Sequence, residues 1–225
     1  MLNTIAHKKL AAVLLLFCLC IPFAGQAHVD NPALENLSRT DIFFVYLQLG
    51  FTHIIPKGFD HILFILSLFL LSPKLKTILW QATAFTVAHS ITLGLAMYGK
   101  IAAPPHIIEP IIALSIMFVA LENVITDKLK PTRILIVFAF GLIHGLGFAG
   151  VLKDLGLPKR EYLNALISFN VGVELGQVSI ILGAWFLFGK WFNQKPWYRQ
   201  RIVYPLSLLI AVIALYWTIE RAFFP

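Results

Sequence analysis

Three histidines, one amide and one carboxylate recur at matching positions in the apolar stretches of this chain: His61, His89, His144, Asn170 and Glu174. The first four lie seven to nine residues from one end of the stretch that contains them. With about 1.5 Å of helix rise per residue, they are expected about 10–14 Å below one surface of a helix bundle. Glu174 follows Asn170 by four residues, so the two side chains share a helix face. This spacing predicts one polar site shared by four helices.

The chemistry of this site depends on its donor atoms. Imidazole nitrogen suits Zn, Cu, Fe and Ni, whereas carboxylate and carbonyl oxygen alone favour Mg or Ca. The sequence therefore predicts a divalent transition-metal site with His61, His89 and His144 as ligands. Asp60, Asn170 and Glu174 would complete the site or orient the histidines. The alternative is that each histidine packs in the bundle and bonds a backbone carbonyl.

Three further residues extend this hypothesis. Glu122 lies near the far end of its apolar stretch, where it would either pass an ion onward or cap the helix. His53 lies where the first apolar stretch begins and could line the access to the metal. His28 would chelate a metal through its imidazole and a free amine if the chain were cut directly before it.

The composition requires a membrane around these residues. Hydrophobic residues make up 59% of the 225 residues and charged residues only 13%, against about 45–50% and 25% in soluble domains. A soluble globule, a disordered chain and a nucleic-acid-binding domain are excluded on this ground. The formal charge of +7 is expected in loops. The lipid bilayer is thus a partner of the protein, nucleic acid is not, and a homo-oligomer remains open.

The first segment reads as a secretory signal peptide over residues 1–27. It has Lys8 and Lys9, an apolar run and the small-residue sequence Ala24-Gly25-Gln26-Ala27. An uncleaved first helix is the alternative. Both cysteines, Cys18 and Cys20, lie in this segment, so its removal would leave no thiol chemistry.

The remaining chain predicts an all-α, polytopic membrane protein with six transmembrane helices after the cleaved signal peptide. A periplasmic segment over 28–53, with a short surface helix, precedes a transmembrane domain over 54–225. Because about 20 apolar residues cross a bilayer, six spans are predicted: 54–72, 77–98, 107–126, 132–152, 162–189 and 202–221. Both termini would face the periplasm of a bacterial inner membrane. Nine Lys and Arg residues then lie in cytoplasmic loops and seven outside, a bias in the expected direction.

The glycines of the chain indicate close helix packing. Residues 145–150 match G-x-G-x-x-G, but they lie inside an apolar span, without the strand that a dinucleotide site requires. Gly141 with Gly145, and Gly172 with Gly176, instead have the small-xxx-small spacing of tightly packed membrane helices. No phosphate-binding P-loop is present, so the chain does not hydrolyse a nucleotide by itself.

Several motifs resemble signatures of the HupE/UreJ family of bacterial membrane proteins. They are GFDHILF at 58–64, FTVAHSITL at 85–93, GLIHGLGFA at 141–149 and FNVGVELGQ at 169–177. The resemblance implies transport of nickel or a similar divalent ion. It also implies that His53, Asp60 and His61, and then His144 and Glu174, are functional residues.

Three functions follow from the sequence. The first is binding and transport of a divalent metal ion, nickel or cobalt in type, without enzymatic activity. The second is an intramembrane hydrolase in which zinc activates water and Glu174 or Asp60 is the general base. The third is an assembly factor for metalloproteins, with histidines that serve only the structure.

Overall fold

The computed structural model describes residues 37–155 and 158–224, and all regular structure in these ranges is helical. The predicted signal peptide and His28 lie outside the described residues. Short 3₁₀ and π-helical turns at Lys159–Glu161, Trp185–Gly189 and Arg199–Val203 flank or extend the main helices. The seven main helices are α1 (Arg39–Ile54), α2 (Phe59–Leu71), α3 (Leu75–Met97), α4 (Pro105–Ile125), α5 (Arg133–Leu155), α6 (Tyr162–Ala184) and α7 (Tyr204–Phe223).

The expectation of an all-α, multi-pass membrane protein is confirmed. In the described part of the chain, α3 to α7 are long and apolar enough to cross a bilayer, which makes five spans. The pair α1 and α2 passes the same test together and makes six spans if it is one broken crossing. Large apolar side chains cover the outside of the bundle, as contact with lipid requires; among them are Trp80, Leu163, Leu187, Val212 and Phe223.

The first crossing differs from the predicted straight span over 54–72. The chain leaves helical geometry after Ile54 and resumes it at Phe59, and α1 and α2 differ in direction by 66°. Pro56 lacks an N–H to continue the helical ladder. At Gly58, a Cβ atom would collide with the His53 carbonyl oxygen, so this close approach requires glycine. The predicted short surface helix is the 16-residue α1, whose Ile42 and Tyr46 are buried.

Six of the seven main helices pack as two parallel pairs and one antiparallel pair, and α2 packs against α4 and α6. In the pair α1–α6, Arg39 at the start of α1 forms an ion pair with Glu161, directly before the start of α6. Ile54 at the end of α1 packs on Gly176 farther along α6, so the two helices run in the same direction. The pair α3–α5 is also parallel. The pair α4–α7 is antiparallel, because Arg221 near the end of α7 donates to the Glu109 carbonyl near the start of α4.

The four glycines with small-xxx-small spacing lie at these contacts, which confirms the sequence interpretation. A Cβ at Gly141 would meet the Phe85 carbonyl, and one at Gly172 would meet the Leu47 carbonyl. The bare backbones therefore let α3 approach α5 and let α1 approach α6.

Replacing Gly145 by alanine is expected to lower the free energy of unfolding by about 1–3 kcal/mol, as overpacked cores do. The added methyl group would meet the His89 carbonyl and the Thr92 hydroxyl. Gly150→Ala on the same helix is the matched control, because no atom lies within 4 Å of its Cβ position. Chemical unfolding in detergent measures both variants, and equal effects would contradict the packing account.

Candidate metal centre

Three imidazoles meet where the first crossing breaks. His53 occupies the last turn of α1, His61 the first turn of α2, and His89 the middle of α3. One ring nitrogen from each lies within 4.8 Å of the other two. Nitrogens bound to one tetrahedral zinc-type ion at about 2.0–2.1 Å lie about 3.3 Å apart, so small ring rotations would close the cluster onto an ion. We call these three residues the histidine cluster.

The cluster offers donor atoms that have no hydrogen-bond partner. The Nε2 atoms of His53, His61 and His89 are all buried and have no hydrogen-bond partner within the described residues. Buried polar atoms are nearly always satisfied in folded proteins. Because the three rings also approach one another closely, their buried nitrogens without partners are the donors expected of a ligand set for a cation.

A hydrogen bond from α6 determines which nitrogen of His89 is free. The Asn170 side-chain N–H₂ donates to the Leu166 carbonyl at 2.8 Å, which leaves Oδ1 as the atom that faces His89. His89 Nδ1 lies 3.4 Å from this oxygen and is therefore the protonated nitrogen. The lone pair of His89 then lies on Nε2, the nitrogen that has no hydrogen-bond partner among the described residues. A hydrogen bond to the opposite ring nitrogen commonly fixes metal-binding histidines in this way.

His144 lies beside the cluster and is held by α4. Its ring centroid is 5.2 Å from that of His61. The Ser115 hydroxyl donates to the Ile112 carbonyl at 2.7 Å, so it accepts from His144 Nε2–H at 2.9 Å. His144 Nδ1 is consequently a lone-pair nitrogen, and it is buried without a partner. The sequence had placed His144 in the ligand set and His53 at the access, whereas the structure brings His53 into the cluster.

Aromatic rings pack against two histidines of the cluster. The rings of Phe148 and Phe169 lie against His53, with centroids 3.8 and 5.7 Å away. The Phe85 ring lies 5.7 Å from His61. These apolar rings lower the polarity around the cluster, which strengthens the attraction between an ion and its ligands.

A cavity of about 290 Å³ adjoins the cluster, and its lining includes His53 and His61. We call it the charged vestibule, because Lys57, Asp60, Glu109 and Arg221 also line it.

Asp60 is paired across this vestibule. Arg221 Nη2 donates to its two carboxylate oxygens at 3.0 and 3.2 Å. No carboxylate oxygen of the described residues joins the three imidazole nitrogens in a common ligand group. The structure thus places Asp60 beside the access to the cluster, and the pairing with Arg221 could not be foreseen across 161 residues of sequence.

The other two intramembrane carboxylates lie apart from the cluster. Glu122 forms an ion pair with the buried Arg133 at 3.0 Å and lines an apolar groove of about 660 Å³ between α4 and α5. Glu174 accepts a hydrogen bond from the Thr83 hydroxyl at 2.7 Å and lines a cavity between α3 and α6.

Neutralising Asp60 and neutralising Arg221 are expected to have opposite effects on metal capture. Arg221→Gln leaves a net negative vestibule and should speed Co²⁺ binding about threefold to tenfold at low ionic strength, since rim charges act on association rates. Asp60→Asn should slow binding by a similar factor, and the double variant should return towards the wild-type rate. Stopped-flow absorbance of Co²⁺ measures all three, and Arg39→Gln, far from the vestibule, is the control. Equal rates throughout would contradict a role for this ion pair at the access.

Comparison with known proteins agrees with the sequence motifs. The family model described as HupE / UreJ protein matches residues 29–221. The chain belongs to the HupE/UreJ family. No curated protein and no solved structure matches it. The matched range includes every residue of the histidine cluster and all of the described helices except the last two residues of α7, so the family membership applies to the whole bundle.

Proposed function

We propose that this HupE/UreJ protein binds a divalent transition-metal ion, nickel or cobalt in type, and carries it across the bacterial inner membrane. His53, His61 and His89 are the ligands, His144 is the adjoining fourth imidazole, and Asn170 orients His89. The observation that carries the proposal is the group of three buried, unpartnered imidazole nitrogens. Imidazole donors suit Ni, Co and Zn.

The orientation of the protein is part of the proposal. Both termini face the periplasm, and the charged vestibule opens there. The ion is attracted by the carboxylates of Asp60 and Glu109, loses its water in the aromatic enclosure and binds the imidazoles. Because the chain has no nucleotide site, the ion moves down its gradient or together with a second ion.

The position of the cluster supports transport. It lies at a break between two helices within the bilayer, and substrate sites of transporters are commonly built from such broken helices. An intramembrane zinc hydrolase would need a carboxylate beside the metal as its base. Neither carboxylate proposed for that role joins the imidazole nitrogens in the ligand group found among the described residues, and Asp60 is paired with Arg221.

Uptake into liposomes tests the proposal. Purified protein is reconstituted with a metal-sensitive dye inside, and Co²⁺ or Ni²⁺ is added outside. Wild-type protein should raise the uptake rate above that of empty liposomes, and His53→Ala or His89→Ala should abolish the increase. His106→Ala is the matched control, because His106 is exposed at the start of α4, outside the cluster. Metal binding without any uptake would contradict transport and favour the hydrolase, whereas no metal binding at all would favour the assembly factor with structural histidines.

A further inference from the structure

Three histidine-bearing helices each carry a phenylalanine one helical turn from the histidine. The pairs are His61 with Phe64 in α2, His89 with Phe85 in α3, and His144 with Phe140 in α5. The members of a pair are three or four residues apart, so they share a helix face and are separated by about 4.5–6 Å along the helix. We call the three phenylalanines the phenylalanine layer.

The phenylalanine layer lies on one side of the histidines, and the charged vestibule lies on the other. Phe64 is displaced from its histidine towards the end of α2, and Phe85 is displaced from its histidine towards the start of α3. A connection of three residues joins that end to that start, so both displacements lead to the same side of the membrane. Phe140 is displaced to this side as well, because α5 runs parallel to α3. The vestibule is instead lined by Gly58 and Asp60 at the start of α2, and none of the three phenylalanines is among its lining residues.

The rings of the phenylalanine layer pack against one another and against the histidines. The Phe64 centroid lies 5.0 Å from that of Phe85 and 6.1 Å from that of Phe140. The Phe85 centroid lies 5.7 Å from that of His61 and 5.0 Å from that of His144. Phe64 and Phe85 are fully buried. Centroid distances of about 4.5–7 Å are typical of packed aromatic pairs, so the imidazoles border directly on apolar rings on this side.

Polar atoms resume on the far side of the phenylalanine layer. Ser67 lies one turn beyond Phe64 in α2, and Gln81 lies one turn beyond Phe85 in α3. Ser67 Oγ and Gln81 Oε1 are buried and have no hydrogen-bond partner among the described residues. Because buried polar atoms nearly always have partners, these two oxygens are of the kind that lines a route for a polar solute. The layer therefore interrupts a succession of polar groups that begins at the vestibule.

We propose that Phe64, Phe85 and Phe140 form the inner gate of the transport path, which is closed in this structure. This inference rests on the proposed transport function. An ion on the histidine cluster then exchanges with the charged vestibule alone, because the entry of a charge among packed apolar rings is costly. Hydrophobic constrictions close channels in the same way. When the rings separate, the ion passes from the imidazoles to the side of Ser67 and Gln81.

Thiol labelling tests the gate in the full-length protein. Cys18 and Cys20 are replaced by serine, and Ser67→Cys supplies one thiol beyond the layer. Methanethiosulfonate ethylammonium, a small water-soluble cation, forms a mixed disulfide with the thiol and releases methanesulfinate and a proton. Mass spectrometry follows the labelling in detergent. A metal chelator is present throughout, so the result does not depend on metal binding or on transport.

The thiol of Ser67→Cys is expected to be protected while the layer is intact. Phe85→Ala should raise the labelling rate at least about tenfold, because the loss of the ring leaves an opening in the constriction. Phe85→Leu is a smaller change that keeps most of the packing, so it should fold even if Phe85→Ala does not, and it should raise the rate about threefold. Leu93→Ala is the matched control, because Leu93 is equally buried in α3 and lies one turn from His89 in the opposite direction. It should leave the labelling rate unchanged.

Binding and uptake of Co²⁺ separate the gate from the proposed function. Phe85→Ala should keep the wild-type affinity for Co²⁺, because the ring offers no donor atom, and should raise the rate of uptake into liposomes. If the wild-type protein takes up no Co²⁺ although Phe85→Ala exposes the thiol, the layer remains the barrier and only the transport function is wrong. The gate itself is overturned if the thiol of Ser67→Cys reacts equally fast with the layer intact, or if Leu93→Ala and Phe85→Ala raise the labelling rate equally.

Discussion

Replacing His61 by alanine is expected to lower the affinity for Co²⁺ or Ni²⁺ by roughly 100- to 1,000-fold. Structural zinc sites with four ligands bind their ion with a free energy of about 10–16 kcal/mol. Divided among the ligands, this gives about 2.5–4 kcal/mol for each one. His61 is the central residue of the site, because its ring lies 4.7 Å from that of His53, 5.9 Å from that of His89 and 5.2 Å from that of His144. Isothermal titration calorimetry in detergent measures the change.

The same experiment on the neighbouring histidines distinguishes the ligand set of the structure from the ligand set that the sequence favours. His53→Ala should lose as much affinity as His61→Ala, whereas His144→Ala should lose less, because Ser115 already holds one of its nitrogens. His106→Ala should bind as wild type does. If His144→Ala abolished binding and His53→Ala left it unchanged, the ligand set would be the one favoured by the sequence, and the histidine cluster would be wrong.

Replacing Asn170 by leucine is expected to weaken metal binding by about 10- to 100-fold, the usual effect of removing a partner that orients a metal-binding histidine. The leucine has a similar volume but offers no acceptor, so the proton of His89 is free to move to Nε2, the nitrogen that otherwise has no hydrogen-bond partner among the described residues. Asn170→Asp keeps an acceptor oxygen at the same place. The Asn170→Asp variant should therefore bind the metal with close to the wild-type affinity. A purely structural role of Asn170 would not predict this result.

Two further measurements make this prediction specific. Asn164→Leu removes a side chain of the same type from the same helix, where it bonds the Arg39 carbonyl. It should leave metal affinity unchanged. The visible absorption of bound Co²⁺ should shift in Asn170→Leu, because the geometry around the ion changes. Equal affinities of Asn170→Leu and Asn164→Leu would contradict the orienting role.

Much of the fold could be predicted from the sequence, because the bilayer leaves few choices. Apolar length determines the crossings, and the spacing of Gly141 and Gly145 determines which backbones can meet. The break after Ile54 is local as well, since Pro56 and Gly58 interrupt the helical pattern. Treating this stretch as one straight helix placed His53 at the surface. The bend of 66° between the two helices instead brings His53 to the first turn of α2.

The partners of the polar side chains could not be predicted in the same way. Depth along a helix places Glu174 near Asn170, but only the rotation of α6 against α3 decides that Asn170 faces His89 and Glu174 faces Thr83. The pairing of Asp60 with Arg221 likewise depends on how the first and last crossings pack. Such contacts arise from tertiary packing, and the sequence of a single helix does not indicate them.

X-ray absorption spectroscopy of the protein loaded with Ni²⁺ or Co²⁺ tests the central claim most directly. The account predicts one ion per chain, with at least three imidazole nitrogens around it, and the loss of this signature in His53→Ala, His61→Ala and His89→Ala. An ion surrounded only by oxygen, or the same imidazole signature in all three variants, would contradict it.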